Sequence, residues 1–428
     1  MKVTKIAMAL LVAGMGAGLV PAAHAADADR LAQLEKQLQM LQQEIESMKA
    51  ENAKQVTDLR DQLTAQGKEA VVAGDIGNSS RIPGSETSVR VYGYAEANLI
   101  KDLKATAPGD TFTNLPEQPL DNLNSPEGKT GMTGQTSRFG FETSTPTAMG
   151  PLHTQVEGDF YAYCGSTCNR NRLRLRLAYG EYAGWMIGQN WSTFMDLDDG
   201  PETADFNGPI GMPFSRPVQI RYTYAMSNGT TFKAALENPT DGATRPNVVL
   251  AVSKSADWGG VNLRLLSHEQ RLAYGSNLLS KSGNGIGVGG SYKLTGSLTF
   301  MGQYAVVDGD SDNTAMYGAN YPETSTGAIL MDRSAGYVIG LNNVFNEQWR
   351  ATFALGAVQS QLGADDPYVV ASTLGITQRM HQWHLNFFYT PIKNVDLGAE
   401  LIGGTRTTYA GDDATLSRLN LLARYSFN

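Results

Sequence analysis

Two hydrophobic periods divide the chain. Between Leu31 and Leu63 the apolar residues follow the alternating 3,4 spacing of heptad a and d positions: Leu31, Leu34, Leu38, Leu41, Ile45 and Met48. Asn52 takes the next a position, and Val56, Leu59 and Leu63 resume the stripe after a four-residue stutter. The spacing predicts an α-helical coiled coil within 26–66. Its stripe is narrow and its flanks are rich in Gln and Glu, which favours self-association over a single amphipathic helix packed on its own chain. Gly67, Gly74, Gly77, Pro83 and Gly84 then interrupt any helix, so 67–87 reads as a linker.

From Ser88 onward the period is 2. Strand-like segments fall at about 88–100, 135–144, 152–163, 170–183, 184–194, 216–226, 230–238 and 247–257. Eight more fall at about 260–269, 285–294, 296–308, 334–344, 348–360, 379–390, 394–405 and 415–427. Short turns alternate with long loops rich in Gly, Asp, Asn and Pro, such as 101–134, 195–215, 309–333 and 361–378. Within the last strand Leu419, Leu421, Ala423, Tyr425 and Phe427 share one face, and Arg418, Asn420, Arg424 and Ser426 the other. A soluble sandwich could show the same alternation with its apolar face turned in. The strand count, the loop asymmetry and the aromatics beside the short turns (Trp185, Trp258, Trp349, Tyr389, Phe427) favour an all-β membrane barrel. The expected fold over 88–428 is a sixteen-stranded antiparallel transmembrane β-barrel, which is wide enough to leave an aqueous lumen.

Residues 1–25 strengthen that reading. Lys2 and Lys5 precede an apolar run from Ile6 to Val20, and Ala23-His24-Ala25 has the small residues of a cleavage site. A cleaved signal peptide directs the chain out of a Gram-negative cytoplasm, with the barrel in the outer membrane and the coil in the periplasm. The whole chain carries 34 Lys+Arg against 42 Asp+Glu, a charge of −8, which argues against a nucleic-acid binder.

The densest chemistry is Arg170, Arg172, Arg174 and Arg176, interleaved with Asn171, Leu173, Leu175 and Leu177. Period 2 puts the guanidinium groups on one face. Because an Arg at the lipid midplane costs about 2–4 kcal/mol, that face must be the lumen. Arg138, Arg221 and Arg264 share the lumen parity in their own strands. Such a wall can bind carboxylates, or it can simply balance acids within the barrel. The loop 195–215 is the candidate constriction, with Asp196, Asp198, Asp199, Glu202 and Asp205 among stiffening Pro and Gly. Folded inward, its acids would stand opposite the arginines; left outside, it would be an ordinary acidic surface loop. Cys164 and Cys168 are the only cysteines, and in an exported chain they read as one disulfide. No metal-ligand or catalytic spacing appears, so no cofactor and no enzymatic activity are expected. Two functions from different classes remain, a diffusion channel for small anions and an envelope-tethering protein with a closed lumen.

Several local motifs carry a family resemblance. They are Ile82-Pro83-Gly84-Ser85, Ser137-Arg138-Phe139-Gly140-Phe141, Val156-Glu157-Gly158-Asp159-Phe160 and Arg174-Leu175-Arg176 running into Ala178-Tyr179-Gly180. Gly188-Gln189-Asn190-Trp191-Ser192-Thr193-Phe194, Pro201-Glu202-Thr203 and Asp205-Phe206-Asn207-Gly208-Pro209 complete the set. With the signal peptide and coil ahead of them, these resemble the DcaP-like trimeric outer-membrane porins, a family linked to uptake of dicarboxylic acids. The resemblance implies a homotrimer, an inward constriction loop and an Arg-lined, anion-preferring lumen. Outer-membrane lipid and lipopolysaccharide would surround the barrel, small anionic solutes would enter it, and the coil would lie within reach of peptidoglycan. The Cys pair and the final Phe427-Asn428 depart from the family pattern.

Overall fold

The computed structural model describes residues 24–69, 72–104, 115, 118–121, 123, 127–162, 172–239, 242–274, 276–309, 329, 331–361 and 377–427. They form two units, divided near residue 70.

The first unit is one helix, α1 (His24–Glu69). With 46 residues it extends about 70 Å. Leu34, Leu38, Leu41, Ile45, Met48, Val56 and Leu59 are all exposed along it. The apolar stripe is therefore uncovered in a single copy. No helix among the described residues is long and apolar enough to cross a membrane.

The second unit is an antiparallel sheet that closes on itself. In chain order its strands are β1 (Ser80–Arg81), β2 (Ser88–Lys104), β3 (Thr130–Thr133), β4 (Arg138–Thr145), β5 (Leu152–Ala162), β6 (Arg172–Tyr182), β7 (Trp185–Gln189), β8 (Val218–Ala225) and β9 (Thr230–Glu237). They continue with β10 (Asn247–Ala256), β11 (Gly259–Tyr274), β12 (Asn277–Lys293), β13 (Leu298–Asp308), β14 (Arg333–Val344), β15 (Trp349–Gln361), β16 (Thr377–Ile392), β17 (Val395–Thr408) and β18 (Asp413–Phe427). Each long strand pairs with the next, and β18 returns to β2. The short β3 and β4 share one place in the wall, β3 against Asn98–Lys101 and β4 against Ser88–Tyr94. With β1 only an appendage of β2, the barrel has sixteen strands in its wall, so every predicted segment has its counterpart. Closure leaves no unpaired edge, which is what a sheet in lipid requires.

The two faces follow the period-2 alternation. In β15, Trp349 and Phe353 are exposed outward while Thr352, Ala354, Val358 and Ser360 are buried inward. Beside the short turns three Trp–Tyr pairs face outward on neighbouring strands, Trp185 with Tyr222, Trp258 with Tyr292 and Trp349 with Tyr389. Amphipathic rings in that position mark the level of a membrane interface.

Three local features depart from the pattern. The ladder of β11 and β12 runs on to Tyr274 opposite Asn277, so 270–274 and 277–284 are paired strand rather than loop. The strand expected over 184–194 stops at Gln189, because Asn190 and Trp191 give their carbonyls to the Gln219 side chain instead of to a ladder. In β6 a bulge separates Leu175, paired with Gly158, from Leu177, paired with Glu157. Leu173 and Leu175 face outward as expected, but the bulge turns Leu177 inward to 6% exposure.

Candidate functional site

Residues 190–217 leave the wall after β7, cross the interior and return at β8. Contacts with both sides of the barrel fix that path. On the near side Glu237 accepts from the Ser192 hydroxyl at 2.7 Å and the Thr193 N–H at 2.6 Å. Arg264 donates to the Phe194 carbonyl at 2.9 Å, and Gln303 to that of Asp196 at 3.0 Å. On the far side Arg350 forms a bidentate pair with Glu202, both bonds 2.9 Å. Glu400 accepts the N–H groups of Ala204 and Asp205 at 2.9 and 2.8 Å. The inward loop thus begins at Asn190 and ends at Pro217, longer than the 195–215 read from the sequence.

Small residues in the wall make room for it. A Cβ on Gly356 would lie 1.9 Å from the Ile210 carbonyl oxygen, one on Gly340 would lie 2.5 Å from Pro201 Cβ, and one on Gly289 would lie 2.3 Å from an Asp196 carboxylate oxygen. Each distance is below what a side chain tolerates, so the loop is seated in notches that only glycine leaves open.

A cationic cluster lies beside this loop. Arg174 holds Asp159 through two hydrogen bonds of 2.9 and 2.6 Å. Arg176 bridges Glu157 at 2.8 Å and Asp159 at 3.0 Å, with 3% of its side chain exposed. Arg138 lies 3.6 Å from Glu157 and stacks over Tyr94 and over Phe206 of the loop. Arg216, at the end of the loop, stacks on Trp191 at 4.8 Å and on Phe214 at 5.7 Å. No carboxylate pairs with it among the described residues, and its Nη1 has no hydrogen-bond partner. Burial first, then the neighbouring Arg176 and Arg174, pushes its pKa down from the ordinary guanidinium value. Four guanidinium groups therefore share two carboxylates, an excess of positive charge framed by Trp191, Phe206, Tyr94 and Tyr161.

The sequence-read residues separate into groups. Arg138, Arg174 and Arg176 come together, while Arg172 is exposed at the start of β6. Arg221 and Arg264 lie elsewhere, against residues 190–199, where Arg264 is buried beneath the loop. Arg170, Cys164 and Cys168 fall outside the described residues. The loop acids face separate parts of the barrel. Asp196 and Asp199 turn toward Asn262, Glu202 is paired with Arg350, and Asp205 is buried with its carboxylate accepting the Asn207 N–H. The physical reason is that carboxylates withdrawn from water take the nearest donors, which come from β11, from β15 and from the loop itself. Asp198 alone of the five is exposed.

Glu157 and Asp159, quoted only as part of a motif, and Arg216 were not read from the sequence as site residues. The two acids were legible, since Gln155, Glu157 and Asp159 alternate with Val156, Gly158 and Phe160. Arg216 was not, because a strand starting at 216 gives it the parity opposite to Arg221.

Asp196 and Asp199 share the Asn262 amide at 2.6 and 3.0 Å. Burial and the adjacent Asp196 push the Asp199 pKa from 3.8 up to about 7. Above that pH the loop carries an additional negative charge. The zero-current potential of the channel in a salt gradient is therefore expected to move toward cations as pH rises through about 7. Asp199→Asn removes that step, and a step that survives the substitution refutes the assignment. The stability change has a definite sign. The folded carboxyl holds its proton where the unfolded one has lost it, so its contribution falls as pH rises from near 4 through about 7.

The sequence profile of the DcaP outer membrane protein family matches residues 19–427. Among solved structures, the outer membrane channel DcaP of Acinetobacter baumannii has a TM-score of 0.72 at 24% identity, covering 83% of this chain and all of that one. OmpT of Vibrio cholerae, in its trimer form, has a TM-score of 0.52 at 14% identity, covering 80% of this chain and 99% of that one. An anion-selective porin from Comamonas acidovorans also has a TM-score of 0.52 at 14% identity, covering 80% and 100%. No curated protein matches the sequence. With a profile match over nearly its whole length and a closed sixteen-stranded barrel crossed by an inward loop, this chain belongs to the DcaP outer membrane protein family and is an outer-membrane channel of the porin fold.

Proposed function

We propose that this channel passes small organic anions by diffusion and prefers dicarboxylates to neutral solutes of equal size. The observation that carries the reading is the cluster of Arg138, Arg174, Arg176 and Arg216 around only two carboxylates, beside the inward residues 190–217. A diacid can engage one guanidinium with each carboxylate. The surplus is small, so the site attracts without trapping, as conduction requires. Proteoliposomes loaded in parallel with succinate and with a neutral four-carbon diol test this. Succinate is expected to cross faster; equal rates, or a faster diol, would refute the preference.

The same reading includes export by a cleaved signal peptide over 1–25 and assembly as a homotrimer, with α1 in the periplasm as a coiled coil over 26–66. The exposed stripe from Leu34 to Leu59 supports it, since leucines facing water gain most by facing one another. Deletion of 26–66 is expected to lower the temperature at which the detergent-solubilised oligomer dissociates. An unchanged dissociation profile would show that the helix is not an assembly element.

A further inference from the structure

We propose that the cavity between residues 190–199 and the β8–β12 wall is a second solute subsite, selective for small zwitterions that carry one carboxylate and one ammonium. The cavity has a volume of about 440 Å³, which suits a ligand of amino-acid size. Its wall side carries Arg221 of β8 and Lys233 of β9, and its loop side carries Asp198 and Asp199.

The two sides do not neutralise each other. Among the described residues no ion pair joins Arg221 or Lys233 to a carboxylate, and Arg221 Nε is buried without a hydrogen-bond partner. The Asp198 carboxylate accepts no hydrogen bond among them either. The charges are nonetheless close enough to act on one another. Lys233 stands in the field of Arg221 on its own side, of Asp198 and Asp196 across the gap, and of Glu181.

Both sides are held rigidly. The wall is a continuous β-ladder, and the loop is pinned by Glu237, Arg264, Gln303 and Asn262. Opposite charges fixed apart complement a ligand that brings both counter-charges at once. A lone carboxylate drawn to Lys233 meets the field of Asp198, and a lone ammonium drawn to Asp198 meets Lys233 and Arg221. Both are penalised, which is how discrimination against singly charged solutes arises. The cluster around Arg176 cannot do this, because Glu157 and Asp159 are committed to guanidinium groups and leave no acceptor for an ammonium. The zwitterion subsite is thus independent of the proposed diacid path.

Saturation-transfer NMR on the full-length protein in detergent tests the proposal, with γ-aminobutyrate, butyrate and butylammonium as probes. γ-Aminobutyrate is expected to take up saturation, and the two singly charged analogues about tenfold less. Lys233→Gln and Asp198→Asn should each weaken the γ-aminobutyrate signal about tenfold. Neither substitution leaves an ion-pair partner stranded, and heat-modifiable gel migration verifies the folded barrel of each variant. An absent γ-aminobutyrate signal, a butyrate signal of equal strength, or a signal unchanged in both folded variants would each overturn the proposal.

Discussion

Gly356→Val is expected to raise the single-channel conductance about twofold or more, because the narrowest section sets the resistance of a pore. Gly356 faces inward from the middle of β15, with Val338 and Gln382 as its ladder partners. Any Cβ there comes within 1.9 Å of the Ile210 carbonyl oxygen. The strand cannot retreat, since it is hydrogen-bonded on both sides in a closed barrel. Valine is itself well suited to a strand. The loop must therefore yield, losing the Ile210 N–H bond to Gln382 and the packing of Ile210 on Val358 and Met380. Gly296, in a short turn with nothing near its Cβ position, provides the control: Gly296→Ala should leave conductance unchanged. A folded Gly356→Val channel with wild-type conductance would show that residues 190–217 do not limit flow.

The second large effect is on charge selectivity. Replacing Arg138, Arg174 and Arg176 together by Gln leaves Arg216 as the only guanidinium beside Glu157 and Asp159. The surplus of positive charge becomes a surplus of negative charge. These groups lie beside the inward loop, and a solute passing within about 8 Å of them feels their charge unscreened at physiological salt. The zero-current potential in a potassium chloride gradient is expected to swing from the chloride side to the potassium side. Asp159 is fully buried, and stripping its partners costs about 3–5 kcal/mol, so folding of the triple variant needs a check. Adding Glu157→Gln and Asp159→Asn removes the stranded acids and should return the potential toward the anion side through Arg216. Arg216→Gln alone shifts the potential part of the way without stranding a carboxylate. If none of these moves the potential, the cluster is scaffolding.

Period 2 made the barrel legible from the sequence. All sixteen wall strands, their inward and outward faces and the ring of aromatics follow from alternation and turn spacing. What the pattern could not carry is where the ladder breaks. Asn190 to Phe194 keep alternating, yet Glu237 and Gln219, distant in sequence, outbid the strand for their backbone and side-chain bonds. Arg174 to Leu177 read as unbroken alternation across a bulge that depends on how Glu157 and Gly158 pair opposite. The arginine face was visible from spacing alone, but not which carboxylates hold it, because Glu157 and Asp159 come from the neighbouring strand. Arg350 and Glu202 are 148 residues apart and nothing local joins them.

The proposed anion preference of the lumen runs against the charge of the chain as a whole, which is −8. The most direct measurement is the zero-current potential of the purified full-length protein in a planar bilayer under a potassium chloride gradient. Anion preference predicts discrete conductance steps and a potential with the sign of the chloride equilibrium potential. A potential with the sign of potassium, or a bilayer that shows no steps, would contradict the account.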